Sequence, residues 1–96
     1  MRGGWVYIMT NRRGGVLYTG VTADLRRRMQ EHRLGIVKGY TARYRLIRLV
    51  YYEGYDEILA AIQREKNIKR WPRAWKVMLI EKMNPSWSDL VSTLNA

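Results

Sequence analysis

The chain has no cysteine in its 96 residues. That absence excludes disulfides, zinc–thiolate sites and thiol nucleophiles together. Its longest apolar run falls far short of the roughly 20 residues that a membrane helix needs. The opening residues carry no charged-then-apolar leader, so the expectation is a cytoplasmic protein with no membrane partner. Linkers, internal repeats and low-complexity stretches are also lacking, and one domain over residues 1–96 is expected. Acidic residues are scarce, eight against eighteen Lys and Arg, which leaves a formal net charge of +10. Such a surplus attracts a polyanion, because each neutralised phosphate releases counterions and makes binding salt-dependent. Ribosomes and anionic membranes attract the same charge, which says nothing about catalysis.

What is present is enough apolar residue, 47% of the chain, to make a folded domain rather than a basic tail. Trp5 to Met9 is rich in β-branched and aromatic residues and reads as a strand. Thr10 to Gly15 is a turn whose paired glycines can take positive φ. Val16 to Val21 is a second strand, and the short connection predicts an antiparallel hairpin. Asp24 suits the N-cap of a helix to about Arg33, with Gly35 placed to stop it. Gly35 to Arg45 has no period and reads as a basic loop. Leu46 to Glu53 is a third strand, and its nearly continuous apolar run predicts cover on both faces. Asp56 is expected to cap a second helix through about Arg70, and Pro72 to open a third that Asn84-Pro85 ends. A short last helix is expected from Ser86 or Ser88 to Leu94. The order β-β-α-β-α-α predicts an α+β domain, a small three-stranded, mostly antiparallel sheet flanked by helices.

Helical geometry, at about 100° per residue, puts Leu25, Met29 and His32 on one stripe with Arg28 at its edge. Of the arginines 26–28, only Arg28 then turns back towards the sheet. An Arg that snorkels to water and a His satisfied in the core would account for both. On the second helix, Ile58, Ile62, Glu65 and Lys69 share a stripe, with Leu59 and Ala61 beside it. Glu65 thus stands where an apolar residue belongs, and a carboxylate there must be paired, protonated or metal-bound. An ion pair with Arg28 is the plainest account. Two inward polar positions on separate helices also fit a shared pocket.

Two tripeptides, Trp5-Val6-Tyr7 and Tyr18-Thr19-Gly20, are followed by Arg28 eight residues and His32 twelve residues after Gly20. With Glu65, Gln63-Arg64-Glu65-Lys66 and the ending from Asn84 to Leu90, this set resembles the GIY-YIG nuclease superfamily. The likeness is to its small single-domain bacterial branch, similar to the N-terminal domain of the bacterial excinuclease. It covers nearly the whole chain and implies the same α+β fold. Trp5, Val6 and Thr19 depart from the residues that name the tripeptides, but every residue with a chemical role is present.

The resemblance implies a metal-dependent endonuclease that hydrolyses DNA phosphodiester bonds, structure-selective and linked to repair or recombination. One divalent cation, Mg²⁺ first and Mn²⁺ second, would be held by Glu65 with waters and substrate phosphate. Tyr7 would act as general base or orient the attacking water, and Tyr18 would hydrogen-bond that water or the phosphate. Arg28 would clamp the scissile phosphate, and His32 would assist the phosphate or the proton transfer. Gly20 lets the backbone pass close to the site, and Asn84 would anchor it, although Asn before Pro is also an ordinary helix stop. An ordinary tyrosine titrates near pH 10, so its use as a base needs help from its neighbours.

Arg27, Lys38, Arg43, Lys69, Arg70 and Arg73 are the foremost phosphate contacts among the basic residues. Arg12, Arg13, Arg26, Arg45, Arg48, Lys66 and Lys76 could extend the groove. Trp71 and Trp75 interleave with cations in a way that suits base stacking, although helix spacing assigns Trp75 to an inward stripe with Met78, Leu79 and Lys82. DNA is the first expected partner and RNA the second, for a monomer or weak homodimer. The rival readings are a nucleic-acid-binding module that keeps the fold without hydrolysis, and a basic structural protein attached to ribosomal RNA.

Overall fold

The computed structural model describes residues 3–37 and 39–95. Its elements are β1 (Gly4–Thr10), β2 (Leu17–Thr22), α1 (Leu25–Arg33), α2 (Tyr40–Arg43), β3 (Arg48–Tyr55), α3 (Ile58–Lys69), α4 (Arg73–Met83) and a 3₁₀ helix (Leu90–Asn95). The α+β reading and its element order hold. The sheet is antiparallel throughout, in the order β2-β1-β3, so the first strand lies in the middle.

Side chains alternate across the central strand, and each set meets a different layer. Val6 and Ile8 pack with Ala61 and Ile68 of α3, Ile80 of α4 and Trp87. Tyr7 and Met9 pack with Leu25 and Met29 of α1, while Leu90, Val91 and Leu94 of the 3₁₀ helix lie against the same cluster. The sheet is therefore covered on both faces, as the apolar run in β3 predicts. A bulge opposite Ile8 and Met9 aligns them with Tyr51 and Leu49. It lets Leu49 join the α1 layer while Val50 and Tyr51 both join the α3 layer.

Several boundaries move for identifiable reasons. Val16 stays outside β2 because its N–H donates to the Asn11 side chain at 3.1 Å. The basic loop contains a helical turn, α2. Leu46 closes that turn by donating its N–H to the Thr41 carbonyl at 2.9 Å, so β3 begins two residues later than expected. The ladder then runs on to Tyr55, opposite Gly4. Glu57, and not Asp56, occupies the N-cap of α3, without a side-chain capping bond. Leu59 and Lys69 turn outward, leaving Ala61, Glu65 and Ile68 as the buried stripe. Trp75 is the largest correction: it is 55% exposed, as is Met78 in large part, and Ile80 is the buried residue of α4. Apolar residues surround this helix on all sides, so periodicity alone could not choose the inward face.

Two helix ends share one closure. The Ile36 N–H donates to the Glu31 carbonyl and the Leu46 N–H to the Thr41 carbonyl, the six-to-one bond of a Schellman motif. Gly35 takes the left-handed position after α1, with φ of 73°. Arg45 takes the same position after α2, with φ of 56°, where a side chain costs about 1–2 kcal/mol.

Candidate active site

The hairpin register brings the site together from neighbouring strands. Tyr7 lies opposite Gly20, and Met9 opposite Tyr18, so both tyrosines project from the face that carries α1. A Cβ on Gly20 would stand 2.6 Å from Cζ and the hydroxyl of Tyr7 and 2.9 Å from the Tyr18 ring. Glycine is what leaves room for these two rings. Asp24 caps α1 by accepting from the Arg27 N–H at 3.1 Å, and the helix then lays His32 over the sheet.

Three rings result, each about one ring-width from the other two. The centroids of Tyr7, Tyr18 and His32 are 6.2, 5.9 and 6.1 Å apart, with tilted or edge-on planes. The Tyr7 hydroxyl meets His32 Nε2 at 3.3 Å, with Tyr7 wholly buried and His32 nearly so. Burial pushes the Tyr7 phenol above its usual range, Tyr18 adds to that, and Arg28 works against both. Burial pushes the His32 imidazole below its usual value, and Arg28 pushes the same way against Glu31. The pair is thus a protonated phenol beside a neutral imidazole.

Arg28 is half-buried and reaches this cluster, with its Nε held 3.2 Å from Glu31. It lines a cleft of about 300 Å³ with Thr22, Ala23, Asp24, Arg27 and Glu31. Sequence reading missed Glu31 as a tether; an acidic residue three positions after Arg28 on a helix is the signal that would have found it.

Glu65 is buried on α3, as its stripe predicts, but its ion-pair partner is Lys69, at 2.5 Å, and not Arg28, which Glu31 holds. The carboxylate thus comes from the helix layer opposite α1. Asn84 is buried beneath β3: its Nδ2 donates to the carbonyls of Val50 and Ser88, and its Oδ1 accepts from the Ser88 N–H at 3.1 Å. It pins the bulge to the chain beyond α4.

The expected phosphate contacts are dispersed. Arg27 is exposed and pairs with Glu31, and Arg43 stacks over Tyr44. Lys69 is committed to Glu65, and Arg70 is exposed just past α3. Arg73 donates to the carbonyls of Gly14 and Gly15, tying α4 to the hairpin turn. Lys38 lies outside the described residues.

A network that sequence reading also missed joins β3 to α3. Glu53 accepts from Tyr55 at 2.6 Å, from Arg64 at 2.7 Å and from Tyr51. Arg64 also lies over Trp71, 5.1 Å from the ring centre, which fixes Trp71 as partner to a protein cation.

Among the described residues no three or more His, Asp and Glu side chains gather as a metal cage. Glu65 offers the one oxygen ligand that a hard cation of the Mg²⁺ class would need beside waters and a phosphate, and it is paired with Lys69 in this structure. No helix among the described residues is long and apolar enough to cross a membrane.

Known proteins resemble this chain in sequence and in fold. The family model of the GIY-YIG catalytic domain matches residues 3–79, which include Tyr7, Tyr18, Arg28, His32 and Glu65 and leave Asn84 outside. A UPF0213 protein of Haloquadratum walsbyi is 41% identical over 66 residues, 69% of this chain and 74% of that protein. Another, from Syntrophus aciditrophicus, is 41% identical over 70 residues, 72% of this chain and 79% of its own. The solution structure of the UPF0213 protein BH0048 from Bacillus halodurans superposes with a TM-score of 0.54 at 29% identity, covering 85% of this chain and 86% of that one. The chain belongs to the GIY-YIG catalytic-domain family, and its relatives are UPF0213 proteins.

Proposed function

We propose that this protein is a metal-dependent endonuclease that hydrolyses DNA phosphodiester bonds, structure-selective and acting in repair or recombination. The observation that carries the reading is the Tyr7–His32 contact beside Tyr18 and Arg28. A merely structural core has little reason to bury a phenol against an imidazole and bring a guanidinium to them.

The geometry favours a proton relay over a free phenolate. With its phenol held above the usual range, Tyr7 is a donor at neutral pH, and His32 Nε2 is a neutral acceptor within reach. Tyr7 passes its proton to His32 as it takes one from the attacking water. The water oxygen then bonds to phosphorus, and the leaving oxygen departs with its electron pair and takes up a solvent proton. Tyr18 orients the water or the phosphate, and Arg28 stabilises the charge that builds on the phosphate oxygens. Glu65 would hold one divalent cation, Mg²⁺ before Mn²⁺, which supplies charge neutralisation at the phosphate when bound.

The Glu65–Lys69 ion pair favours a second reading, a nucleic-acid-binding module that keeps the fold without cleavage, because a cation already satisfies that carboxylate. Supercoiled, linear, branched and single-stranded DNA, incubated with Mg²⁺ or Mn²⁺, separates the two. The nuclease reading expects metal-dependent cleavage that Glu65→Ala abolishes. Tight binding without cleavage under every condition would establish the binding module instead.

A further inference from the structure

His32 has a second face. Its Nε2 points to Tyr7, while its Nδ1 is buried without a hydrogen-bond partner among the described residues. Thr41 Oγ1 is the other buried side-chain atom in that condition, and the two residues are only 5% and 4% exposed. Both line one cavity of about 140 Å³, with Arg33, Gly35, Arg45 and Ile47 completing it. That volume has room for roughly four waters at about 30 Å³ each, or for one tetrahedral oxyanion.

The polar side chains that line this cavity are mainly donors. Tyr7 donates to Nε2 when its phenol is protonated, which leaves the ring proton of a neutral His32 on Nδ1, the buried atom without a partner. Thr41 adds a hydroxyl that can donate, and two guanidiniums add donors that never accept. Asp89 already occupies Arg33 at 2.5 Å. Arg45 has no ion pair or hydrogen bond among the described residues. It also holds the left-handed position that glycine fills after α1, so its side chain is kept where the backbone would favour having none.

We propose that this cavity is a phosphate-binding subsite, in which Arg45, Thr41 and His32 Nδ1 hold a phosphate oxyanion of the nucleic-acid strand next to the one that is cut. Arg33 shares its charge between that phosphate and Asp89. His32 stands between the two phosphates and links their positions. The role in cleavage rests on the nuclease reading, whereas phosphate binding itself does not.

His32 is the chain's one histidine, so its Nδ1 gives a ring-nitrogen NMR signal that no other histidine overlaps. The test follows that signal in the full ¹⁵N-labelled chain during titration with inorganic phosphate, against chloride at matched ionic strength, and then with a short oligonucleotide. A saturable Nδ1 shift with phosphate is expected, reached at lower concentration with the oligonucleotide. Thr41→Val and Arg45→Gly should each weaken it by about tenfold or more. Arg45→Gly removes the guanidinium and suits its φ, so its melting temperature should not fall, which separates binding from misfolding. Glu65→Ala should keep the shift whether or not it cleaves. Absence of any phosphate-specific shift overturns the subsite, even if the wild type proves to be a nuclease. A shift from inorganic phosphate that the oligonucleotide fails to produce overturns the assignment to the strand. A full shift in Arg45→Gly overturns the role of Arg45.

Discussion

At the scale of single residues, the Tyr7 hydroxyl is the group on which the proposed chemistry turns. Its hydrogen bond runs to His32 Nε2, and it adds nothing to the packing that phenylalanine would not also supply. Tyr7→Phe should therefore keep the fold, at a cost of about 1–3 kcal/mol for the unpartnered His32 Nε2, and lose about 10²- to 10⁴-fold in metal-dependent cleavage. Circular dichroism and single-turnover rates on the same preparation check this, and undiminished cleavage would remove Tyr7 from the mechanism. Spacing in the sequence already singled out Tyr7, Tyr18, Arg28 and His32. It could not show how completely Tyr7 is buried in the cluster of Met9, Leu25 and Met29, and that burial is what pushes its phenol further up.

Among elements, two polar devices hold β3 in place, and each can be tested by stability. Asn84 spans from the bulge carbonyl of Val50 to Ser88 with three hydrogen bonds. Asn84→Ala leaves buried backbone groups unpaired and should cost about 1–3 kcal/mol. Chemical denaturation reads that directly, and a midpoint shift near zero would mean that solvent replaces the bonds. The second device is Glu53. Burial pulls its carboxyl upward, but hydrogen bonds from Arg64, Tyr51 and Tyr55 outweigh that and hold it below the usual range. A depressed carboxyl contributes stability that is present above the unfolded value and lost as pH falls through the folded one. The melting temperature should thus decline on acidification below about pH 4.5. Glu53→Gln should flatten that limb, and an unchanged acid limb would reject the assignment. The Glu53 network was invisible in the sequence because β3 and α3 meet through the strand register, which puts Glu53 opposite Val6 on the α3 face.

For the whole molecule, charge is the dominant property. A net charge of +10 on a 96-residue chain gives a field that draws in nucleic acid whatever its sequence. The cations are spread over several elements, and Arg73, Lys69 and Arg64 are engaged within the protein. Only some can therefore neutralise phosphates. If about four do so on duplex DNA, the logarithm of the binding constant should fall with the logarithm of salt at a slope near −3.6. Fluorescence anisotropy across a salt series measures it. A slope near −10 would mean that the internal ion pairs open on binding, and a slope near zero would argue against phosphate contact.

The sequence by itself determined the element order, the antiparallel hairpin, the inward turn of Arg28 and His32, and the burial of Glu65. Those features follow from local periodicity, from the missing side chain of Gly20 and from the backbone freedom of Gly35. Tertiary structure decided the rest. It paired Glu65 with Lys69, turned Trp75 outward on a helix apolar all round, and formed a helical turn where no period was visible. It also set His32 and Thr41, each with a buried polar atom that lacks a partner, in the lining of one cavity. The physical reason is that ion pairs, helix faces without a single apolar side, and cavities depend on which surfaces meet across the chain, which only the packing of distant segments sets.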